Sequence, residues 1–276
     1  MPATPAGLHQ LATHAEREHD PFAGRRSAAA EPAVVIQAAD GAPVYLALTR
    51  EDIAATARAL SSAWKTLGVA GGDTVLIYDY GASPLTLFAS WCYVPHLEKG
   101  AADLLGAVPI CNDGLPEFAS RALHVLRYLR PGVTIVDAAH MPVFLRRVAE
   151  ERARIGEWTR LLAVSPDDEA AGPREIAAWE RELDLPVRLL LRSGPALFFA
   201  AQCEAGALHA DPRHYRVEVA PVEGSEPVAV GEGSLCITNR FLRGTSVERY
   251  LANVEVAIER GLCSCGRSSR PFRCLA

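Results

Sequence analysis

Apolar residues recur along this chain with two different periods, one typical of helices and one typical of strands. Thr49-Arg50-Glu51-Asp52 matches a helix N-cap with an acidic residue three positions later, apolar side chains follow at helical spacing, and Gly68 ends the pattern. Helical patterns cover residues 8–18, 49–67, 83–97, 101–105, 119–128, 141–154 and 173–183. Short apolar runs that predict buried strands cover residues 34–36, 44–48, 73–78, 107–110, 133–136, 161–164 and 187–191. This alternation predicts an α/β fold with a mostly parallel sheet and flanking helices.

The pattern changes after about residue 212. Residues 215–220, 233–238 and 254–258 predict strands with no helix between them, and residues 223–227 predict a turn. The sequence therefore predicts three parts. They are an N-terminal arm at residues 1–33, an α/β core at 34–212 and a small β-rich extension at 213–276.

Composition and charge exclude several classes of function. The chain has 276 residues, of which 49% are hydrophobic and 22% charged, and its net charge is −5, so we expect neither a nucleic-acid partner nor an anionic membrane partner. No apolar run approaches the roughly 20 residues that span a bilayer, and the N-terminus does not resemble a signal peptide. Seven cysteines without the dense spacing of a disulfide scaffold indicate a reducing, cytoplasmic location.

Two cysteine-containing segments together offer a set of metal ligands. Cys263 and Cys265 lie one residue apart near the end of the chain, and Cys203 precedes His209 by six positions. Three thiols and one imidazole make a tetrahedral set that suits zinc better than magnesium or calcium. The spacing alone leaves reduced, partly buried thiols as an equal alternative. A second alternative replaces one ligand with Cys274.

The order of short motifs along the chain resembles one enzyme family. The motifs are Gly41-Ala42-Pro43 followed by 45–52, Tyr78-Asp79-Tyr80-Gly81, residues 105–109, 203–209 and 233–235, Arg249-Tyr250, and Cys263-Ser264-Cys265-Gly266-Arg267. Together they resemble the large N-terminal domain of the phenylacetate–CoA ligase branch of the adenylate-forming superfamily, over about residues 35–267. Some members of that branch hold zinc with this Cys/His set. The resemblance therefore favours a structural zinc that braces the extension.

The departures from the family pattern concern nucleotide binding. Residues 36–40 contain no Ser, Thr or Lys where the family has its phosphate loop, and Asp40 would repel a phosphate. Residues 189–197 lack the family's metal-placing carboxylate, and Val254 replaces its ribose-binding aspartate, with the adjacent Glu255 on the opposite strand face. Because the chain ends at Ala276, we expect the family's C-terminal domain, with its catalytic lysine, to be absent. These differences predict that the protein does not use ATP.

Six residues are candidates for a substrate pocket: Tyr78, Tyr80, His96, Phe198, Phe199 and Arg249. The two tyrosines follow a predicted parallel strand, where ligand crevices form in such sheets. The histidine is a candidate general base, the phenylalanines a candidate aromatic wall and the arginine a candidate carboxylate anchor. Plain packing is the favoured alternative for the tyrosines and phenylalanines and a satisfied surface histidine for His96, while a surface ion pair is an equal alternative for Arg249.

The resemblance and the departures together predict a degenerate homologue that keeps its pocket. It would bind a small aryl or acyl acid, or a carrier-bound intermediate, in a specialised biosynthetic pathway, either as an ATP-independent enzyme or as a scaffold. A homodimer or a partner enzyme is the macromolecular partner we expect. The alternative is a genuine acyl- or aryl-CoA ligase with a rewired ATP site and a C-terminal domain supplied in trans. A third interpretation is a structural subunit with a collapsed pocket.

Overall fold

A computed structural model describes residues 5–39, 41–169, 171–222 and 226–275. The strands are β1 (Ala6–Gly7), β2 (Val34–Gln37), β3 (Tyr45–Leu48), β4 (Thr74–Asp79), β5 (Val108–Asp113), β6 (Val133–Asp137), β7 (Leu161–Ser165), β8 (Val187–Ser193), β9 (Phe198–Gln202), β10 (Leu208–His209), β11 (Tyr215–Ala220), β12 (Gly231–Asn239), β13 (Tyr250–Ile258) and β14 (Phe272–Cys274). The helices are α1 (Leu8–Glu18), α2 (Arg50–Leu67), α3 (Pro84–Leu87), α4 (Ala101–Leu105), α5 (Ala119–Leu129), α6 (Met141–Glu150) and α7 (Pro173–Leu183). No helix in these ranges is long and apolar enough to cross a membrane.

One large mixed sheet organises the fold, in the order β11-β12-β13-β14-β10-β9-β8-β7-β6-β4-β5, with β1 paired to β13. Strands β5, β4, β6, β7 and β8 are parallel, and the pairs from β8 to β11 are antiparallel. The predicted α/β class is confirmed, but among the described residues continuous parallel pairing covers these five strands, and the short β1 adds one further parallel pair with β13. Only the short turn at Gly194–Ala196 separates β8 from β9, which is too short for a helical crossover, so β9 runs back antiparallel.

Alternation along the parallel strands divides the core between the two faces of the sheet. Val75 and Ile77 of β4 pack into one hydrophobic cluster, and Leu76 and Tyr78 pack into the other. Helix α2 covers the first face, while α5 and α6 cover the second. The N-cap of α2 is as predicted, since the Thr49 hydroxyl accepts the N–H of the third helical residue. Both faces of the parallel strands are therefore covered by helices, as parallel sheets require.

The helix predicted at residues 83–97 is wrong beyond its first turn. Only Pro84–Leu87 is helical, and Pro95, which cannot donate a backbone hydrogen bond, lies within the remainder. The Asp103 carboxylate accepts backbone N–H groups of Trp91 and Gly100 at 3.0 and 2.7 Å, which holds this segment in an irregular path. A Cβ on Gly100 would lie 2.3 Å from Ser90 Cα, so the two backbones pack in direct contact.

The predicted extension continues the main sheet rather than forming a separate layer. Strands β11 to β14 follow one another antiparallel, and β10 pairs with both β9 and β14. Residues 223–225 of the predicted turn lie outside the described residues. Asp40 also lies outside them. Val254 is buried, whereas Glu255 faces outward and accepts the Ser234 hydroxyl at 2.6 Å. This opposite orientation is the one the strand alternation predicted.

Candidate functional site

The cysteines and the histidine predicted as metal ligands converge on one point. Cys203 follows β9, His209 ends β10, and Cys263 and Cys265 lie in the loop from β13 to β14. Because β10 pairs with both β9 and β14, that loop is brought over the β9–β10 turn. One ligand atom from each of the four residues lies within 4.8 Å of all the others, and Cys274 is not part of this group.

The distances within this cluster fit a tetrahedral metal. Cys203 Sγ lies 3.7 Å from Cys263 Sγ, and Cys265 Sγ lies 3.4 Å from His209 Nε2. A tetrahedral zinc with metal–sulfur bonds of about 2.3 Å and metal–nitrogen bonds of about 2.0 Å separates its ligands by roughly 3.5–3.8 Å. The donor set and its spacing therefore suit a closed four-ligand site.

Neighbouring groups orient the His209 ring and shift the pKa values of His209 and Cys265 toward their metal-binding forms. His209 Nδ1 lies 2.9 Å from the Ser269 hydroxyl, a hydrogen bond that orients the ring so that Nε2 faces the thiols. Burial lowers the pKa of His209, which keeps the imidazole in its neutral, ligating form. Burial raises the pKa of Cys265, but the backbone N–H and guanidinium of Arg267 lower it more, to about 7. Arg267 also pairs with Glu204 at 3.2 Å, which ties the two ligand-bearing turns together.

A second cluster occupies the carboxyl ends of the parallel strands. Asp79 ends β4 and Asp137 ends β6, and these strands are neighbours in the sheet. Arg192, near the end of β8, reaches across β7 and donates to Asp79 Oδ2 at 2.5 Å and to Asp137. Its Nε lies 3.7 Å from Asp167 Oδ2. Arg192 is only 4% exposed and Asp79 and Asp137 are buried, while the Asp167 side chain is 35% exposed, so the network is buried except at Asp167 and lies where such sheets bind ligands.

The charges in this strand-end cluster are coupled. Burial would lower the pKa of Arg192, but its three carboxylate neighbours raise it above the ordinary value, so the guanidinium stays charged. Burial raises the pKa of Asp137; Arg192 opposes this change and the nearby Asp79 adds to it. His140 Nδ1 lies 3.8 Å from Asp137 Oδ1, and burial lowers the pKa of His140. Asp137 therefore holds a proton more readily than an ordinary aspartate does.

Several buried polar atoms beside this cluster have no hydrogen-bond partner within the described residues. Next to β8 they are Arg25 Nη2, Asp168 Oδ1, Arg192 Nε and Ser193 Oγ, and next to β5 and β6 they are Asn112 Oδ1, Asp113 Oδ1 and His140 Nδ1. Tyr250 donates its hydroxyl to Asp168, and burial raises the pKa of that carboxyl to about 6. Buried polar groups are nearly always paired in proteins, so atoms such as these indicate positions for water or a ligand.

The segment that resembles a phosphate loop packs directly against the end of β8. A Cβ on Gly194 would lie 2.1 Å from the Ala38 carbonyl oxygen, so only glycine permits this contact. The Gly194 N–H donates to Asp167 Oδ1 at 2.9 Å. A carboxylate therefore does lie beside residues 192–195, although it comes from the end of the neighbouring strand and not from the segment itself.

The six residues predicted to form a substrate pocket do not converge. Tyr78 is buried and donates to the Leu115 carbonyl at 3.1 Å, whereas Tyr80 is 50% exposed and His96 is exposed. Phe198 and Phe199 are buried in β9, which lies four strand spacings, roughly 19 Å, from β4. Arg249 pairs with Glu226 at 2.8 Å. A role for any of them in substrate binding stays a prediction.

Sequence reasoning did not identify the strand-end cluster. Asp79 and Asp137 each come directly after a buried apolar run, and this repeated position is the signal that predicts carboxylates at one edge of a parallel sheet. Arg192 carries no comparable signal, because it lies inside an apolar strand.

Comparison with solved structures agrees with this architecture. No protein-family model and no curated protein matches the sequence. An open conformation of 2-hydroxyisobutyryl-CoA ligase in complex with 2-HIB-AMP and CoA is 17% identical with a TM-score of 0.76, over 97% of this chain and 61% of that chain. A benzoate CoA ligase from Burkholderia xenovorans LB400 is 14% identical with a TM-score of 0.59, over 86% of this chain and 49% of that chain. An anthranilate CoA ligase in complex with anthranoyl-AMP is 12% identical with a TM-score of 0.58, over 86% and 45%.

The chain therefore has the fold of the acyl-CoA and aryl-CoA ligases of the adenylate-forming superfamily, over nearly its whole length, as its motifs predicted. At these identities the likeness concerns the fold. The chain spans about half to three fifths of the length of these ligases.

Proposed function

We propose that this protein binds a small acyl or aryl acid, or a carrier-bound intermediate, at the strand-end cluster without converting it to an acyl-adenylate. The observation that carries this proposal is the buried network of Arg192 with Asp79, Asp137 and Asp167. Adenylation requires donors and cations around a triphosphate. Here the buried Arg192 is already surrounded by carboxylates, which would repel phosphate groups in a poorly solvated site.

The unpartnered donors beside this network suit an organic acid. Arg25 Nη2, Arg192 Nε and Ser193 Oγ are buried donors that make no hydrogen bond among the described residues, although Arg192 Nε lies 3.7 Å from Asp167 Oδ2. A carboxylate offers oxygens that accept from guanidinium and hydroxyl groups, and such charge-assisted hydrogen bonds are strong. Asp168, next to them, has a pKa raised to about 6 by burial, so it can supply or accept a proton near neutral pH. Whether the acid is transformed or only held for a partner enzyme, no nucleotide is required.

The Cys203, His209, Cys263 and Cys265 cluster is proposed to hold a structural zinc. Four protein ligands close the coordination shell and leave no position for substrate, so the ion would connect the β9–β10 turn to the loop before β14 without performing chemistry. The reduced thiols it needs fit the proposed cytoplasmic location. A homodimer or a partner enzyme remains part of the same proposal.

The second candidate function is a ligase that still adenylates its substrate. The observation in its favour is the comparison with solved structures, in which ligases named with acyl-adenylates and CoA cover nearly the whole of this chain. In that case the remaining length of those enzymes would have a counterpart supplied in trans.

Acid-dependent ATP–pyrophosphate exchange separates the two functions. The protein would be assayed with 2-hydroxyisobutyrate, anthranilate and benzoate in the presence of magnesium, with heat-denatured protein as the blank. We expect no exchange above the blank for any acid. Exchange that depends on one of the acids, and is lost in Arg192→Met, would contradict the proposal and support the ligase.

A further inference from the structure

We propose a second ligand site, separate from the strand-end cluster, that binds an anion attached to an apolar body. It is a cavity of about 520 Å³ beside β11, β13 and β14, which we call the arginine groove. The lining residues proposed to contact the ligand are Arg216, Arg240, Arg270, Ile258, Leu262 and Phe272. This volume lies within the range of about 300–1,000 Å³ that small-molecule sites occupy.

The charged side chains that line the groove are positive. Three arginines line it, and no acidic residue does so among the described residues. Arg240 Nη1 donates to the Pro212 carbonyl at 2.9 Å, and Arg270 Nη1 donates to the Ala229 carbonyl at 2.7 Å. A carbonyl positions a guanidinium without neutralising it, so both groups keep their full charge and further N–H donors. The planar donor fork of arginine matches carboxylate and phosphate groups.

The floor of the groove is apolar. Ile258 and Phe272 are buried, 3% and 2% exposed, and close the bottom of the cavity. Leu262, at the rim, is 78% exposed, which is unusually high for a leucine beside a concave surface. A ligand with an apolar body would cover this side chain and remove it from water. The combination of free arginines and an uncovered leucine points to an amphipathic anion rather than to an inorganic ion.

A neighbouring cavity of similar size shows why the groove is the better anion site. That cavity, of about 510 Å³, is lined by Lys65, Arg213 and Arg267 among others. Arg213 pairs with Asp211 at 2.6 Å, and Arg267 pairs with Glu204 at 3.2 Å. Two of its three cations are therefore already neutralised. Among the residues that the structure describes, Arg216 is the one groove arginine with a carboxylate partner, Glu218 at 2.6 Å.

Calorimetric titration of the full chain tests the site with hexanoate and hexyl phosphate as probes. Two matched controls are 1-hexanol, which lacks the charge, and inorganic phosphate, which lacks the apolar body. We expect saturable binding of at least one amphipathic anion, and binding of both controls weaker by about tenfold or more. The affinity should fall as NaCl rises from about 50 to about 500 mM. Which of the two headgroups binds more tightly distinguishes a carboxylate ligand from a phosphate ester.

Substitutions of the groove arginines test whether the probes bind in the arginine groove. Arg240→Gln and Arg270→Gln should each weaken the better probe by about fivefold or more, because each removes one charged donor fork. Arg273→Gln is the matched control, since Arg273 lies in β14 next to the lining residue Phe272 but pairs with Glu259 at 2.5 Å and does not line the groove. Equal affinity for 1-hexanol, unchanged affinity in the Arg240→Gln/Arg270→Gln double variant, or no saturable binding would each overturn the proposal. The pyrophosphate-exchange result has no bearing on this outcome, because the groove shares no residue with the strand-end cluster.

Discussion

Replacing Arg192 with methionine should destabilise the protein in a pH-dependent way. Methionine keeps much of the side-chain volume but removes the cation that contacts both Asp79 and Asp137. The two carboxylates are 1% and 9% exposed by residue, so water cannot replace the lost partner. Removing one member of a buried ion network typically costs about 3–5 kcal/mol, because the remaining charge is buried without compensation.

The sign of the pH dependence follows from the carboxyl groups. Burial already raises the pKa of Asp137 in the folded protein, and loss of the guanidinium raises it further. The folded variant then binds more protons than the unfolded chain, so its stability is greatest at low pH and is lost as pH rises through the folded pKa. Each further unit of pKa difference is worth about 1.4 kcal/mol. The loss relative to the parent protein should therefore be about 3–5 kcal/mol near pH 8 and smaller by at least about 1.4 kcal/mol near pH 5.

Urea unfolding followed by circular dichroism at about pH 5, 6, 7 and 8 measures this difference from the transition midpoint and slope. Arg154→Met is the matched control, since Arg154 is 83% exposed and pairs only with Glu157 within the described residues. Its midpoint should stay nearly unchanged at every pH. A loss for Arg192→Met that is the same at pH 5 and pH 8, or that is no larger than that of the control, would refute the ion-network account.

Two further predictions concern the backbone contact at β8 and the metal cluster. Gly194→Ala should destabilise the protein by about 1–3 kcal/mol in the same unfolding assay, because its Cβ would lie 2.1 Å from the Ala38 carbonyl oxygen. Gly81→Ala is the control and should leave stability unchanged, because a Cβ there would have no atom within 4 Å. Equal unfolding midpoints for the two variants would contradict the close contact between Gly194 and Ala38. Elemental analysis of the purified protein should find about one zinc per chain. The zinc should be retained in the control Cys92→Ser, and in Cys265→Ser it should be lost and the Tm should fall. A Cys265→Ser protein with unchanged zinc content and Tm would exclude Cys265 as a ligand.

The sequence predicted those elements in which several local signals agree. Helix α2 has a cap, a continuous helical period and a terminal glycine, and its observed range of Arg50–Leu67 matches the predicted one. The segment at 83–97 has a helical period, but its path depends on Asp103, which lies beyond the segment. Contacts from outside a segment are invisible to periodicity, so this helix was overpredicted.

The candidate sites differ in the same way. Cysteine and histidine are typical metal ligands, so residue types and spacing gave the cluster around His209 as one of two equal interpretations, and the family resemblance favoured the metal site. Arg192 lies inside an apolar run, and its partners Asp79 and Asp137 are 113 and 55 residues away in the chain. Only the order of the strands in the sheet brings them together. The buried ion network therefore required the tertiary structure.

We propose that the strand-end cluster accepts an acid and not a nucleotide. Calorimetric titration of the zinc-loaded protein with magnesium–ATP, and then with 2-hydroxyisobutyrate, anthranilate and benzoate, tests it most directly. We predict no heat of binding from magnesium–ATP and saturable heat from at least one acid, lost in Arg192→Met. Saturable binding of magnesium–ATP with a dissociation constant in the micromolar range, about −8 kcal/mol, would contradict the account and identify an adenylating enzyme.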